Sequence, residues 1–133
     1  MDLNKFTQKA QEAIYQSQQL AKDYQQQAIE PIHLLLALLQ QPEGVVPAVV
    51  IKISGNLNAI LAEVRGDLER RPKVIGAGGE VGLSNQAVQV LEAAERFAKG
   101  MQDDFTSTEH ILLGLLESVE GKRLNQYGLT KDS

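Results

Sequence analysis

The chain repeats itself. Residues 7–39 align without a gap on residues 84–116 at a constant offset of 77, with nine identities in 33 positions. Ala10 falls on Ala87, Ala21 on Ala98, Lys22 on Lys99, Gln25 on Gln102 and His33 on His110. Leu35, Leu36, Leu38 and Leu39 fall on Leu112, Leu113, Leu115 and Leu116. Other apolar positions exchange conservatively, such as Ile14 with Leu91 and Leu20 with Phe97. Gly44 and Gly121 keep the same offset; beyond them the second copy is four residues shorter, because Gly55 matches Gly128. A chain of 133 residues has room for one ordinary domain, so two such units are expected to share one core.

Each copy reads as helices. Ala10, Ala13, Ile14, Ser17, Leu20, Ala21 and Tyr24 recur at steps of three and four, as do Ala87, Val90, Leu91, Ala94, Phe97, Ala98 and Met101. Small residues at the centre of these stripes imply close helix–helix approach. Thr7 and Ser84 stand just before them, where a hydroxyl caps free N–H groups. The second helix of each copy, from His33 and from His110, is apolar on nearly every face and is expected to be central. Pro31 suits the first turn of the earlier one, and Thr106 with Glu109 has capping-box spacing at the later one. A third helix is predicted over 46–54, stopped at Ser54-Gly55, and a fourth over 57–70, stopped before Pro72. The second copy supplies a third helix near 121–127 and no residues for a fourth.

The expected architecture is therefore all-α: repeat 1 over 1–72, a Gly-rich joint over 73–83, and repeat 2 over 84–133 without its last helix. No segment alternates with period two, so no sheet is expected.

Composition removes much chemistry. No cysteine is present, which excludes disulfides, thiolate metal sites and cysteine nucleophiles and suits a reducing compartment. The net charge of −4 and the absence of Trp argue against nucleic-acid binding. The start, Met1 to Phe6, is no signal peptide, and the longest apolar run, Leu34 to Leu39, is far short of the ~20 residues that span a bilayer. A soluble, cytoplasmic chain without membrane contact is expected. Gly76, Gly78, Gly79 and Gly82 follow a helix and enclose Glu80, which suits a linker and not a phosphate loop. Histidines at equivalent repeat positions suit hydrogen bonding at helix starts better than a metal or acid–base site with Asp103, Asp104 and Glu109. Neither Gly-x-Ser-x-Gly nor His-Glu-x-x-His occurs. No catalysis and no metal are expected, and the grooves between the copies remain as surfaces for peptides.

The duplicated Thr/Ser…Ala…Ala helix followed by His-Leu-Leu-x-Ala-Leu-Leu resembles the Clp N-terminal domain, which precedes the ATPase modules of the AAA+ unfoldases. Arg71-Pro72-Lys73-Val74-Ile75-Gly76-Ala77-Gly78-Gly79, Leu83-Ser84, Leu3-Asn4-Lys5-Phe6-Thr7 and Ile29-Glu30-Pro31-Ile32-His33-Leu34 resemble its ClpB branch, the protein disaggregases. The resemblance implies two four-helix repeats related by a pseudo-two-fold axis, together one N-terminal domain. It implies a parent that is a homohexameric ATPase, using ATP and Mg, working with an Hsp70-type system. The N-domain would engage unfolded or aggregated polypeptide and hand it to the pore. Thr7, Asp103 and Glu109 match polar residues associated with substrate engagement, beside an apolar groove to which Leu91 and residue 110 contribute. His110 stands where some relatives carry an aliphatic residue. The alternatives are an adaptor-docking N-domain of a ClpC- or ClpA-type unfoldase and, behind it, a stand-alone regulatory Clp-N protein.

Overall fold

The computed structural model describes residues 1–75 and 79–132. A 3-10 turn at Leu3–Lys5 leads into α1 (Gln8–Asp23), α2 (Pro31–Gln40), α3 (Val45–Ser54) and α4 (Leu57–Arg70). The second repeat contributes α5 (Asn85–Gly100), α6 (Thr108–Leu116) and α7 (Gly121–Gln126). Among the described residues there is no strand, only two single-residue bridges. Gly76 and Gly78 of the expected joint lie outside the described residues.

Helices α2 and α6 are the centre. Every residue of α2 from Pro31 to Leu39 is buried, because the helix has no polar face to offer water. α6 buries Ile111, Leu112 and Leu115 in the same core. α1 covers α2 through Ala10, Ala13, Ser17 and Ala21, and α5 covers α6 through Ala87, Val90, Leu91, Ala94 and Ala98. These small residues let the axes approach closely. The limit is reached at Gly114, where an added Cβ would stand 2.5 Å from the Val90 carbonyl oxygen. α4 lays Ile60, Val64 and Leu68 onto the assembly. One apolar cluster runs through both repeats, from Phe6 to Leu129.

The two repeats also exchange backbone. Thr106 N–H donates to the Lys5 carbonyl at 2.8 Å, and Thr7 N–H donates to the Thr106 carbonyl at 2.9 Å. At positions 77 residues apart, Ile29 N–H donates to Gly82 at 2.8 Å and Ser84 N–H to Ile29 at 3.0 Å. Each repeat's lead-in segment is thus paired with the other repeat's interhelical loop. The equivalence extends to single dihedrals: Gln25 and Gln102 both take positive φ, 57° and 61°. Gly55 (φ 68°) and Gly128 (φ 84°), which end α3 and α7, occupy the left-handed region that glycine adopts without a Cβ penalty. The joint between repeats is anchored where it is described. Val74 N–H donates to the Gln25 carbonyl at 2.8 Å, and Gln18 Nε2 donates to the Val81 carbonyl at 3.0 Å.

An ion cluster closes the far end. Arg123 of α7 donates to Glu120 at 2.8 Å, to Glu63 at 3.1 Å and to Asp67, the last two on α4. Tyr127 Oη donates to Glu63 at 3.0 Å and Arg71 Nε to Asp67 at 2.8 Å. Burial alone would lower the Arg123 pKa, but its bonds to Asp67 and Glu120 outweigh this and raise it. The Arg71 hydrogen bond, with that of Arg123, holds the Asp67 carboxyl below its ordinary range.

Two stability predictions follow from this packing. Gly114→Ala drives a methyl into the Val90 carbonyl, and the expected loss is about 1–3 kcal/mol in urea unfolding. Arg123→Met strands the buried Glu120 carboxylate, and the expected loss is about 2–3 kcal/mol by the same measurement.

Candidate functional site

The cross-repeat pairing brings three helix starts together. Thr7, Gln8 and Lys9 at the start of α1, Gln41, Glu43, Gly44 and Val45 at the start of α3, and Ser107, Thr108 and Glu109 at the start of α6 line a crevice of about 370 Å³. Its walls are set by capping. Thr7 Oγ1 accepts from Ala10 N–H at 3.2 Å, as Ser84 Oγ accepts from Ala87 N–H at 3.0 Å. Gln41 Nε2 donates across to the Lys9 carbonyl at 2.9 Å, tying the α2–α3 turn to α1. Glu109, in the first turn of α6, accepts from Thr108 Oγ1 at 3.1 Å. A carboxylate there faces the positive end of the helix dipole.

The histidines cap the central helices. Glu30 N–H donates to His33 Nδ1 at 2.8 Å, and Ser107 N–H donates to His110 Nδ1 at 2.8 Å. The box at α6 therefore joins Ser107 with His110, one residue from the expected Thr106 and Glu109 pair. Thr106 is taken instead by the bridge to Phe6. A backbone N–H can only donate, so Nδ1 of each neutral ring is an acceptor and Nε2 carries the proton.

At that nitrogen the two repeats part. His110 Nε2 lies 2.8 Å from Asp103 Oδ2. The counterpart of Asp103 is Gln26, which donates to the carbonyls of Tyr24 and Pro72. His33 Nε2 is buried without a partner among the described residues. Burial, with the Arg71 charge adding to it, holds the His33 pKa down at about 4. Ser107, His110 and Asp103 stand in a row like that of a hydrolase, with Ser107 Oγ 2.9 Å from Nδ1. The row has no base to offer, because the one Nδ1 lone pair is occupied by the Ser107 N–H.

The five residues singled out from the sequence separate into three settings. Thr7 and Glu109 meet in the crevice. Asp103 is exposed and fixed to the same end of α6 through His110. Leu91 lies in the core with no exposed surface and His110 is nearly as deep, so neither presents a face to the crevice. Among the described residues no group of three His, Asp or Glu could hold a metal ion. None of the described helices alone is long and apolar enough to cross a membrane.

A family model described as the Clp repeat (R) N-terminal domain matches residues 5–126. This chain belongs to that family. Among its relatives are chaperone protein ClpB of Clostridium tetani, 34% identical over 139 residues covering 99% of this chain, and that of Porphyromonas gingivalis, 41% identical over 116 residues covering 87%. The chain spans 16% and 13% of the length of these two proteins. The Hsp104 N-terminal domain from Candida albicans superposes with a TM-score of 0.79 at 26% identity, over 96% of this chain and 84% of that one. The N-terminal domain of ClpD from Arabidopsis thaliana gives a TM-score of 0.70 at 22% identity, over 99% and 90%. This second likeness shows the fold alone.

In this Clp N-domain, sequence reasoning passed over the turn at Gln41 to Val45. The sequence signal was the turn-forming run Pro42-Glu43-Gly44; in the structure Glu43 is held there at φ 57°, where a side chain is rarely found. It also passed over a second crevice, of about 350 Å³, between α5 and α6. In repeat 1 the equivalent position holds Gln41, which reaches Lys9; in repeat 2 it holds Ser118, whose hydroxyl turns back to the Leu115 carbonyl.

The lowered His33 pKa makes stability depend on pH. The unfolded chain takes up the proton near 6.5 and the folded one near 4. Stability from the neutral ring is therefore complete above 6.5 and falls as pH drops towards 4, by up to about 3 kcal/mol. His33→Asn keeps an acceptor for the Glu30 N–H and should lose this component in urea unfolding followed between pH 7 and 4.

Proposed function

We propose that this chain is the substrate-engaging N-domain of a ClpB-type disaggregase. The observation that carries the reading is the crevice in which Thr7 and Glu109 stand together, with Asp103 held at the same helix start. An extended polypeptide segment lies across it. Val45, half exposed, gives it apolar contact, and the Thr7 hydroxyl and the two carboxylates give it polar contact. No group in the crevice is poised for bond breaking, so the domain binds and releases. ATP and Mg belong to the longer parent, a homohexamer in the cytoplasm that draws the captured chain into its pore with an Hsp70-type system. The ClpB relatives, at 34% and 41% identity, favour this over adaptor docking in a ClpC- or ClpA-type unfoldase.

Titration with reduced, carboxymethylated lactalbumin, which cannot fold, tests the reading. The unmodified chain should bind it and should not bind ATP. Glu109→Gln removes charge from the crevice without touching the Ser107–His110 cap, and binding should weaken about three- to tenfold while the melt shifts by less than about 1 kcal/mol. Thr7→Ser retains the cap on α1. A loss of binding in Thr7→Ser with an unchanged melt would show that the threonine does more than cap. ATP binding, absence of lactalbumin binding, or affinity that tracks stability in every variant would contradict the proposal.

A further inference from the structure

We infer that His110 is a positioning residue for Asp103, and that this pair is a part that repeat 2 alone adds beside the substrate-engaging crevice, which residues of both repeats line. The inference rests on the proposed function and adds a part to it. Asp103 is half exposed, with 50% of its side chain accessible, and a surface carboxylate of that kind ordinarily samples several rotamers. Here it is met by a ring whose side chain is only 6% exposed. The ring cannot turn, because Nδ1 accepts the Ser107 N–H at 2.8 Å in the capping box of α6. Nε2–H therefore points in one direction, and the Asp103 Oδ2 at 2.8 Å is fixed by it. One oxygen is spent on the ring and the other is left for a ligand. The same ring is thus shared between the helix cap and the carboxylate. The first repeat shows what the frame looks like without this use. His33 makes the same cap at 2.8 Å, but Gln26 stands at the position of Asp103 and turns to the carbonyls of Tyr24 and Pro72. The His33 Nε2 is left with no partner among the described residues. A fold that needed only the cap would be served equally by either repeat. The acceptor and the exposed carboxylate occur together in the repeat that carries Glu109.

Two substitutions at one position separate the cap from the pair. His110→Asn places an oxygen near the Nδ1 position, keeps an acceptor for the Ser107 N–H and loses the donor to Asp103. His110→Gln places its amide nitrogen near the Nε2 position, keeps the donor and loses the cap. With carboxymethylated lactalbumin as the ligand, His110→Asn should bind about two- to tenfold more weakly than the unmodified chain, and Asp103→Ala should add nothing to that loss. His110→Gln should bind within about twofold of the unmodified chain although its cap is weaker. Unaltered binding in His110→Asn would overturn the inference, as would losses that multiply in the double variant or an equal loss in His110→Gln. Imidazole 15N spectra keep the two readings apart. They should show the Nε2–H tautomer for His110, and the Nδ1–H tautomer would overturn the pair whatever is bound. Absence of binding by the unmodified chain with the expected tautomer would overturn the proposed function and the use of the pair, leaving the geometry standing.

Discussion

The structure depends on two central, almost wholly apolar helices, of which α2 has nothing to show to water from Pro31 to Leu39 and α6 little besides Glu109 and parts of Leu113 and Leu116. From Pro31 to Leu39 every residue of α2 is buried, and α6 repeats the pattern with His-Ile-Leu-Leu-Gly-Leu-Leu. A helix that is apolar all round must be enclosed by others. Enclosing two of them at once requires helices that can come close, and the Ala and Ser stripe of α1 and the Ala-rich stripe of α5 meet that need. Enclosure also buries the helix starts, whose free N–H groups must be satisfied inside the fold. His33 and His110 do this with a ring nitrogen at 2.8 Å, which is why a histidine stands at that position in both copies.

Much of this was legible before any coordinates. The helices of repeat 1 end where Gly55 and Pro72 say they should, and Thr7, Ser84 and Pro31 stand at the starts they were assigned. These are local decisions, settled by backbone dihedrals and free N–H groups within a few residues. The cross-repeat pairing was not legible, because a single hydrogen-bonded bridge leaves no periodicity in the sequence. It is also what displaced the α6 cap by one residue: Thr106 is engaged with Lys5 and Thr7, so Ser107 takes the cap. The crevice suffered the same fate. Its lining comes from three stretches far apart in the chain, and only Thr7 and Glu109 were expected there. Leu91 was expected in a groove and lies in the core, since a stripe residue on α5 that faces α6 has no surface left to give.

Function, on this account, is a departure from symmetry. Around the crossed lead-in segments the backbone frame is duplicated to the level of single hydrogen bonds and of the positive φ shared by Gln25 and Gln102. A duplicated frame gives two helix starts of the same shape, each with a capping histidine. What distinguishes them is a short list of side chains: Asp103 against Gln26, Ser118 against Gln41, and Glu109 against Ile32. The first turns a cap into a fixed carboxylate and the third places a charge at a helix start where repeat 1 has a buried apolar residue, both at the start of α6 beside the proposed site; the second opens the separate crevice between α5 and α6, which has no part in the proposed engagement. Substitutions of this kind leave the enclosing contacts untouched, so repeat 2 can add charge to a surface that both repeats line without disturbing the fold.

The central claim is a location. Backbone amide shifts of the 15N-labelled chain, followed as carboxymethylated lactalbumin is added, read that location directly. The account predicts that the changes concentrate at residues 5–10, 41–45 and 103–110, around the crevice where α1, α3 and α6 begin. Changes centred instead on Val90, Gly114 and Val119, or on the face of repeat 1 around His33, would contradict it.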